Sequence, residues 1–288
     1  MFSSPGAVAI KIGPLAIRWY GLLIAAAVLF GTLLAQREAV RRREDPDRLL
    51  DVVVLAVLVG LVGARLYYVA FNWADYSLHP FRILAVWEGG LAIHGGLIAG
   101  GLAVLLYGRA KRLPMLAYLD ILVPSVALGQ AIGRWGNFFN QEAFGTPTDL
   151  IWKLYIAPYH RPPHLANFEY FHPTFLYESL WNLGVFALLY WALRRRLEDR
   201  PGALTLAYFA LYSIGRFIVE GFRIDSLMLG PLRAAQVMSV ALFVASAVAL
   251  AVRLRRPRRP GGGGRGSGAG GWGGRRPRTE NLNRERGL

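Results

Sequence analysis

Apolar stretches of about twenty residues recur along this chain, near 17–36, 50–70, 91–108, 115–133, 174–193, 203–221 and 233–252. Runs of that length match the ~30 Å of hydrocarbon that a transmembrane helix must cross. Seven helices in a membrane are therefore the expected frame, and a soluble core of 288 residues would not require so much apolar sequence. The third and fourth runs include Gly or Pro and stop close to the lower length limit for a span, so they carry the least information by themselves.

The distribution of positive charge supports all seven. The connections 37–48, 109–112 and 194–200 hold five, three and four Arg or Lys, and the segment 253–288 holds eleven Arg against Glu280 and Glu285. On a seven-helix path these segments share one side, which the positive-inside rule makes cytoplasmic. The N-terminus is then periplasmic and the C-terminus cytoplasmic. A net charge of +15 would ordinarily suggest a nucleic-acid partner. Here most of it lies in a Gly/Arg/Pro tail that cannot bury a core, so the tail is expected to be a disordered cytoplasmic topology anchor with no specific nucleic-acid ligand. The expected domains are 1–252, a seven-helix catalytic unit with a small periplasmic cap at about 140–173, and the tail 253–288. The opening residues lack the pattern of a cleaved signal peptide, so the first span is expected to stay as an anchor. The chain has no cysteine. Any thiol chemistry must therefore use a thiol from the substrate.

Ionisable residues inside spans cost a few kcal/mol each on insertion scales, so those that persist deserve a reason. Chief among them are Arg65, His94, Glu178, Arg216 and Glu220, with Arg134 at the outer end of the fourth run. On the seven-helix path His94, Arg134 and Arg216 all come to the outer half of the membrane. Arg216 and Glu220, four apart, share a helix face and can pair. Arg65, beside Tyr67 and Tyr68, reads most simply as an interfacial anchor or an interhelical bond. Gly129 and Gly133 give a small-xxx-small spacing that admits a neighbouring helix. Packing does not account for Arg134, Asn137, Asn140, Gln141 and Glu142 crowded at one membrane boundary.

The segment GRWGNFFNQEAFG at 133–145 resembles the signature of the prolipoprotein diacylglyceryl transferase family, G-R-x-G-N-F-x-N-x-E-x-x-G. Four further patches agree in order: Arg18-Trp19-Tyr20-Gly21, Glu88-Gly89-Gly90-Leu91 leading into His94-Gly95-Gly96, His172-Pro173 leading into Tyr177-Glu178, and Tyr212 through Arg216-Phe217 to Glu220. The resemblance covers residues 12–252. It implies an all-α, seven-helix inner-membrane enzyme that moves the diacylglyceryl group of phosphatidylglycerol onto a lipobox cysteine of a prolipoprotein. It also implies functional roles for Tyr20, His94, Arg134, Asn137, Glu142, Gly145, Glu178, Tyr212, Arg216 and Glu220.

Arg134 and Arg216 suit the grip on a phosphodiester, because a guanidinium stays charged and presents a planar fork. His94 is the candidate base for the substrate thiol, with the field of the two arginines as the alternative. Tyr20, Asn137 and Tyr212 are expected to hydrogen-bond or position the head group, and Glu142 and Glu220 to orient asparagine and arginine. No cofactor and no metal are expected, since His94 is separated from His160, His164 and His172 and no ligand cluster forms. The competing classes are an anion transporter, which would yield no covalent product, and a metal-dependent phosphatidyl transferase, which would want clustered Asp where only the isolated Asp51 and Asp120 occur.

Overall fold

The computed structural model describes residues 1–13, 15–86 and 89–255. Glu88 and residues 256–288, most of the expected tail, lie outside them. The first long helix, α1 (Trp19–Arg41), is followed by α2 (Pro46–Phe71), the short α3 (Trp73–Leu78), α4 (Ile93–Ala110), α5 (Met115–Asn140), α6 (Thr174–Ala187), α7 (Ala203–Glu220) and α8 (Ala234–Arg255). Helices α1, α2, α4, α5, α7 and α8 are each long and apolar enough to cross a membrane, with mean hydropathies between 1.3 and 2.4. This is a multi-pass membrane protein. The expected run 174–193 differs in form: α6 stops at Ala187 and a π turn, Leu188–Leu193, carries it on. The backbone N–H of Arg194 reaches back to the carbonyl of Leu189 at 2.8 Å, the five-residue step that defines such a turn.

The long helices pack in the order α4, α2, α1, α5, α6, α7, α8. Glycine sets the closest contact. Between α2 and α4, a Cβ added at Gly63 would lie 2.2 Å from the Ala99 Cβ, and one at Gly95 would lie 2.3 Å from the Gly63 carbonyl oxygen. The two backbones therefore touch directly, the approach that small residues permit in lipid. On α5, Gly129 and Gly133 meet Ala27 and Ile24 of α1 at ordinary van der Waals distance. The tight point comes one turn later, at Gly136.

One end of the bundle is locked by polar groups. Asp120 of α5 is fully buried and accepts from the backbone N–H groups of Gly202 (2.6 Å) and Thr205 (2.8 Å) and from the Thr205 hydroxyl (2.6 Å). It thus caps α7 from another helix, satisfying donors that a helix start leaves open. Nearby, Glu38 of α1 binds Arg41, Arg42 and Arg194. The start of α2 is capped locally, with the Asp45 carboxylate accepting from Asp47 and Arg48 ahead of Pro46.

At the other end the connection between α5 and α6 is folded. Strands β1 (Phe2–Ser3), β4 (Leu154–Tyr155) and β5 (Tyr170–Phe171) form a sheet in the order β1-β4-β5, parallel then antiparallel. A hairpin of β2 (Val8–Ile12) and β3 (Leu15–Arg18) precedes α1, and another of β6 (Met228–Leu229) and β7 (Leu232–Arg233) precedes α8. Phe138, Phe144, Leu154, Ile156, Phe171 and Phe175 make an apolar core that joins the small sheet to the ends of α5 and α6.

Candidate active site

Helix α5 extends beyond the apolar run that predicts it, through Arg134 to Asn140. Arg134, Asn137 and Asn140 thus occupy the last two turns of the helix, as expected of residues at its end, while Glu142 and Gly145 follow it. The helix ends at Gln141 (φ 53°), followed by Ala143 (φ 56°), both in the left-handed region. This reversal returns Glu142 toward the helix: its Oε1 accepts from Asn137 Nδ2 at 2.8 Å and from Asn140 Nδ2 at 3.3 Å. Arg134 Nη1 lies 3.4 Å from Asn137 Oδ1, one turn along.

Glu178 of α6 is the centre of the site. It is buried, with 6% of its surface exposed. Its Oε2 meets Arg134 Nη2 at 2.5 Å, and its Oε1 meets Arg216 Nη1 at 3.3 Å and Arg223 Nη1 at 3.5 Å. Three cations from α5, α7 and the segment after α7 thus converge on one carboxylate. Arg216 Nη2 also pairs with Glu220 Oε2 at 2.6 Å, the expected contact one turn apart.

Arg223 is held on its far side by Asp225, through Nε at 2.9 Å and Nη2 at 2.7 Å. Burial alone would raise the Asp225 pKa, but the charged hydrogen bonds from Arg223 outweigh it and hold the carboxyl below its ordinary range. Sequence reasoning missed Arg223 as a member. It lies three residues past Glu220, beyond the end of α7, so no helical face marked it as a partner of Glu178.

A small cavity between α6 and α7 adjoins this cluster, lined by Glu178, Trp181, Asn182, Tyr212, Gly215 and Arg216. Gly215 shapes it, since an added Cβ there would stand 2.2 Å from Trp181 Cδ1. The Trp181 indole lies across that glycine and donates to the Leu211 carbonyl at 3.0 Å. Tyr212 stacks on Tyr208. Tyr20, at the start of α1, packs against Gly136, where a Cβ would lie 2.2 Å from its ring.

Gly145 is equally crowded. Its added Cβ would meet the His172 Cβ at 2.8 Å and the Phe222 carbonyl oxygen at 2.9 Å, so only glycine lets this strand pass between α6 and the end of α7. Its N–H donates to the His172 carbonyl at 3.0 Å. The His172 ring is 3.0 Å from the Tyr177 hydroxyl, and burial lowers its pKa, favouring neutral imidazole.

His94 stands apart from the cluster. It lies on the first turn of α4, exposed, with its ring 6.3 Å from that of Tyr67. No hydrogen bond or ion pair among the described residues joins it to Glu178 or to the arginines. The reason is the packing order: α4 rests on α2, and α1 lies between α2 and α5. His94 is at the same end of the bundle as Arg134 but across the α1 boundary.

The sequence pattern of the family described as prolipoprotein diacylglyceryl transferase matches residues 7–252. This chain belongs to that family. It is 57% identical over 244 residues to the phosphatidylglycerol–prolipoprotein diacylglyceryl transferase of Trichormus variabilis, covering 83% of this chain and 86% of the relative. The enzyme of that name from Thermosynechococcus vestitus is 53% identical over 239 residues, covering 83% and 89%, and that from Parasynechococcus marenigrum 52% over 262 residues, covering 87% and 94%. Family membership gives the convergence of Arg134, Arg216 and Arg223 on Glu178 a chemical context, because an anionic lipid head group needs such a site within reach of the bilayer.

Proposed function

We propose that this protein transfers the diacylglyceryl group of phosphatidylglycerol to the lipobox cysteine of a prolipoprotein, the first step of lipoprotein maturation. The observation that carries this reading is the meeting of Arg134 and Arg216, from different helices, at one buried carboxylate. Buried charge of that kind inside an apolar bundle is costly unless it serves a charged ligand or locks the fold. The relatives' shared name supports the first.

In the proposed reaction the cysteine sulfur attacks the diacylglycerol carbon that carries the phosphate ester. The new C–S bond replaces the C–O bond, and glycerol phosphate leaves with the electron pair. Arg134 and Arg216 hold the phosphate oxygens and stabilise the charge on the leaving group, with Glu178 spacing the two guanidinium groups and Glu220 orienting Arg216. Asn137 and Glu142 fix the Arg134 side of the site, Gly145 admits the strand beside Arg223, and Tyr20 and Tyr212 flank the head group. A thiol with a pKa of about 8.5 is only partly ionised at neutral pH, so its proton must pass to a base or be released under the arginine field. His94 is the proposed base, reached when the substrates bridge from α4 to α5.

The chain sits in the bacterial inner membrane as seven spans, with 174–193 as the fifth. Residues 1–252 form the catalytic unit, the N-terminus and the segment at about 140–173 face the periplasm, and the basic tail remains in the cytoplasm. The one-sided distribution of arginine supports this orientation.

The test is direct. Purified protein is incubated with phosphatidylglycerol and a peptide carrying a lipobox cysteine, and the peptide is weighed. A thioether-linked diacylglyceryl adduct with release of glycerol phosphate is expected. Binding of both substrates without the adduct would sink the proposal, and lipid movement without covalent product would favour transport.

A further inference from the structure

Arg65 lies near the end of α2, and 4% of its surface is exposed, which is incompatible with an anchor reaching for water or head groups. Its guanidinium is surrounded by backbone carbonyls. Nε donates to Ile83 at 2.9 Å, Nη1 to Gly89 at 2.6 Å and Gly90 at 3.0 Å, and Nη2 to Arg82 at 2.5 Å. The ring of Tyr76 lies 5.2 Å from the guanidinium carbon. One side chain thus collects the connection between α3 and α4 at four points.

Two glycines make the arrangement possible. Gly89 (φ 93°) and Gly90 (φ 71°) occupy a region that side chains disfavour, and both present their carbonyls to the same nitrogen. A Cβ at Gly90 would stand 2.6 Å from Arg65 Nη1 and 2.8 Å from the Tyr68 ring. Two residues later the Ala92 N–H bonds the Ala64 carbonyl at 3.0 Å, and α4 begins. The pinned segment therefore sets where the first turn of α4, and with it His94, is held against α2.

We infer that Arg65 is a positioning residue of the transferase, acting through the four carbonyls it gathers to fix residues 82–86 and 89–92 and, with them, the His94 turn. The inference rests on the proposed reaction. Lysine cannot substitute, because an ammonium has three donors on a tetrahedral centre while the carbonyls need a planar fork. Arg65 touches neither Glu178 nor the arginines around it, so head-group binding should survive its replacement.

The experiment uses the full-length protein in detergent with phosphatidylglycerol and a lipobox peptide. Arg65→Lys and Gly90→Ala are each predicted to lower kcat by about tenfold to a hundredfold, the cost of misplacing a catalytic group by about an ångström, with KM for phosphatidylglycerol within about twofold of the parent. A second readout needs no activity. Ala85 is buried within the pinned segment and the chain has no cysteine, so Ala85→Cys provides a single protected thiol. Its alkylation should be slow with Arg65 present and about tenfold faster in the Arg65→Lys background.

Unchanged alkylation would overturn the pin. Faster alkylation with unchanged kcat would overturn its role in the reaction. Parallel losses of melting temperature, KM and kcat in both variants would reduce Arg65 to a folding element and overturn the inference. A parent protein that makes no adduct would refute the transferase reading instead, leaving the alkylation result to report on the pin alone.

Discussion

Glu38 and Glu178 each bind three arginines, at opposite ends of the same bundle, and the two clusters differ in how closely the arginines approach the carboxylate. Around Glu38 the distances are uniform: Arg41 at 2.7 and 2.9 Å, Arg42 at 2.8 Å and Arg194 at 2.7 Å, with Arg41 also holding Glu198 at 2.8 Å. Around Glu178 one contact is short, 2.5 Å to Arg134, while Arg216, which lines a cavity, and Arg223 stand at 3.3 and 3.5 Å. The first is a closed lock between helix ends. The second is looser and opens on a cavity, which is what separates a structural ion cluster from a candidate head-group site.

Substitutions that treat the two clusters alike should therefore give opposite readouts. Arg134→Lys should reduce turnover by about a hundredfold or more, because loss of a fork aimed at developing charge costs about 3 kcal/mol or more in the transition state. Arg41→Lys, its counterpart at Glu38, should leave turnover within about twofold. Steady-state kinetics on the pair would break the comparison if the losses were similar.

Removing the central carboxylates sharpens it further. Glu38→Gln leaves Arg42 and Arg194 without the carboxylate that pairs them and should cost about 3 kcal/mol of stability, read as a lowered melting temperature with near-normal turnover below the transition. Glu178→Gln should melt closer to the parent yet lose about tenfold in turnover, since Arg134 and Arg216 would no longer be held at a set spacing. A melting loss at Glu178→Gln as large as at Glu38→Gln would make both clusters structural.

Gly215→Ala acts on the cavity alone. By displacing Trp181 it should raise KM for phosphatidylglycerol several-fold while sparing Arg134 chemistry, a split visible in substrate titrations. The smallest effect concerns Asp225. Its folded pKa is depressed, so the stability it supplies is complete above its ordinary pKa of about 4 and is lost as pH falls through the folded value. Asp225→Asn should lower the melting temperature slightly at pH 7 and flatten its further fall below about pH 4, where the protonated parent and the variant converge.

The helices were legible because apolar runs and their arginine-rich connections report on membrane transfer, a property of local composition. The signature residues were legible as a group too polar for a membrane boundary. The extent of α5 was not, because Arg134 to Asn140 contains the residues that usually mark a helix end, yet α5 runs through them to Asn140. Arg65 was misjudged for a related reason: its partners are backbone carbonyls 17 to 25 residues away, which carry no side-chain signal. Asp120 looked isolated since the donors it caps belong to α7. Arg41 and Arg42 were counted as topological charge, and nothing local marked them as ligands of Glu38.

The central claim is that donors at the Glu178 cluster serve the phosphate of the lipid, whereas those at Glu38 serve the fold. Adduct formation by Arg134→Lys and Arg41→Lys, assayed together by peptide mass at saturating phosphatidylglycerol, tests it most directly. The account predicts near-parent thioether adduct from Arg41→Lys and about one hundredth or less from Arg134→Lys. Equal adduct from the two would contradict it.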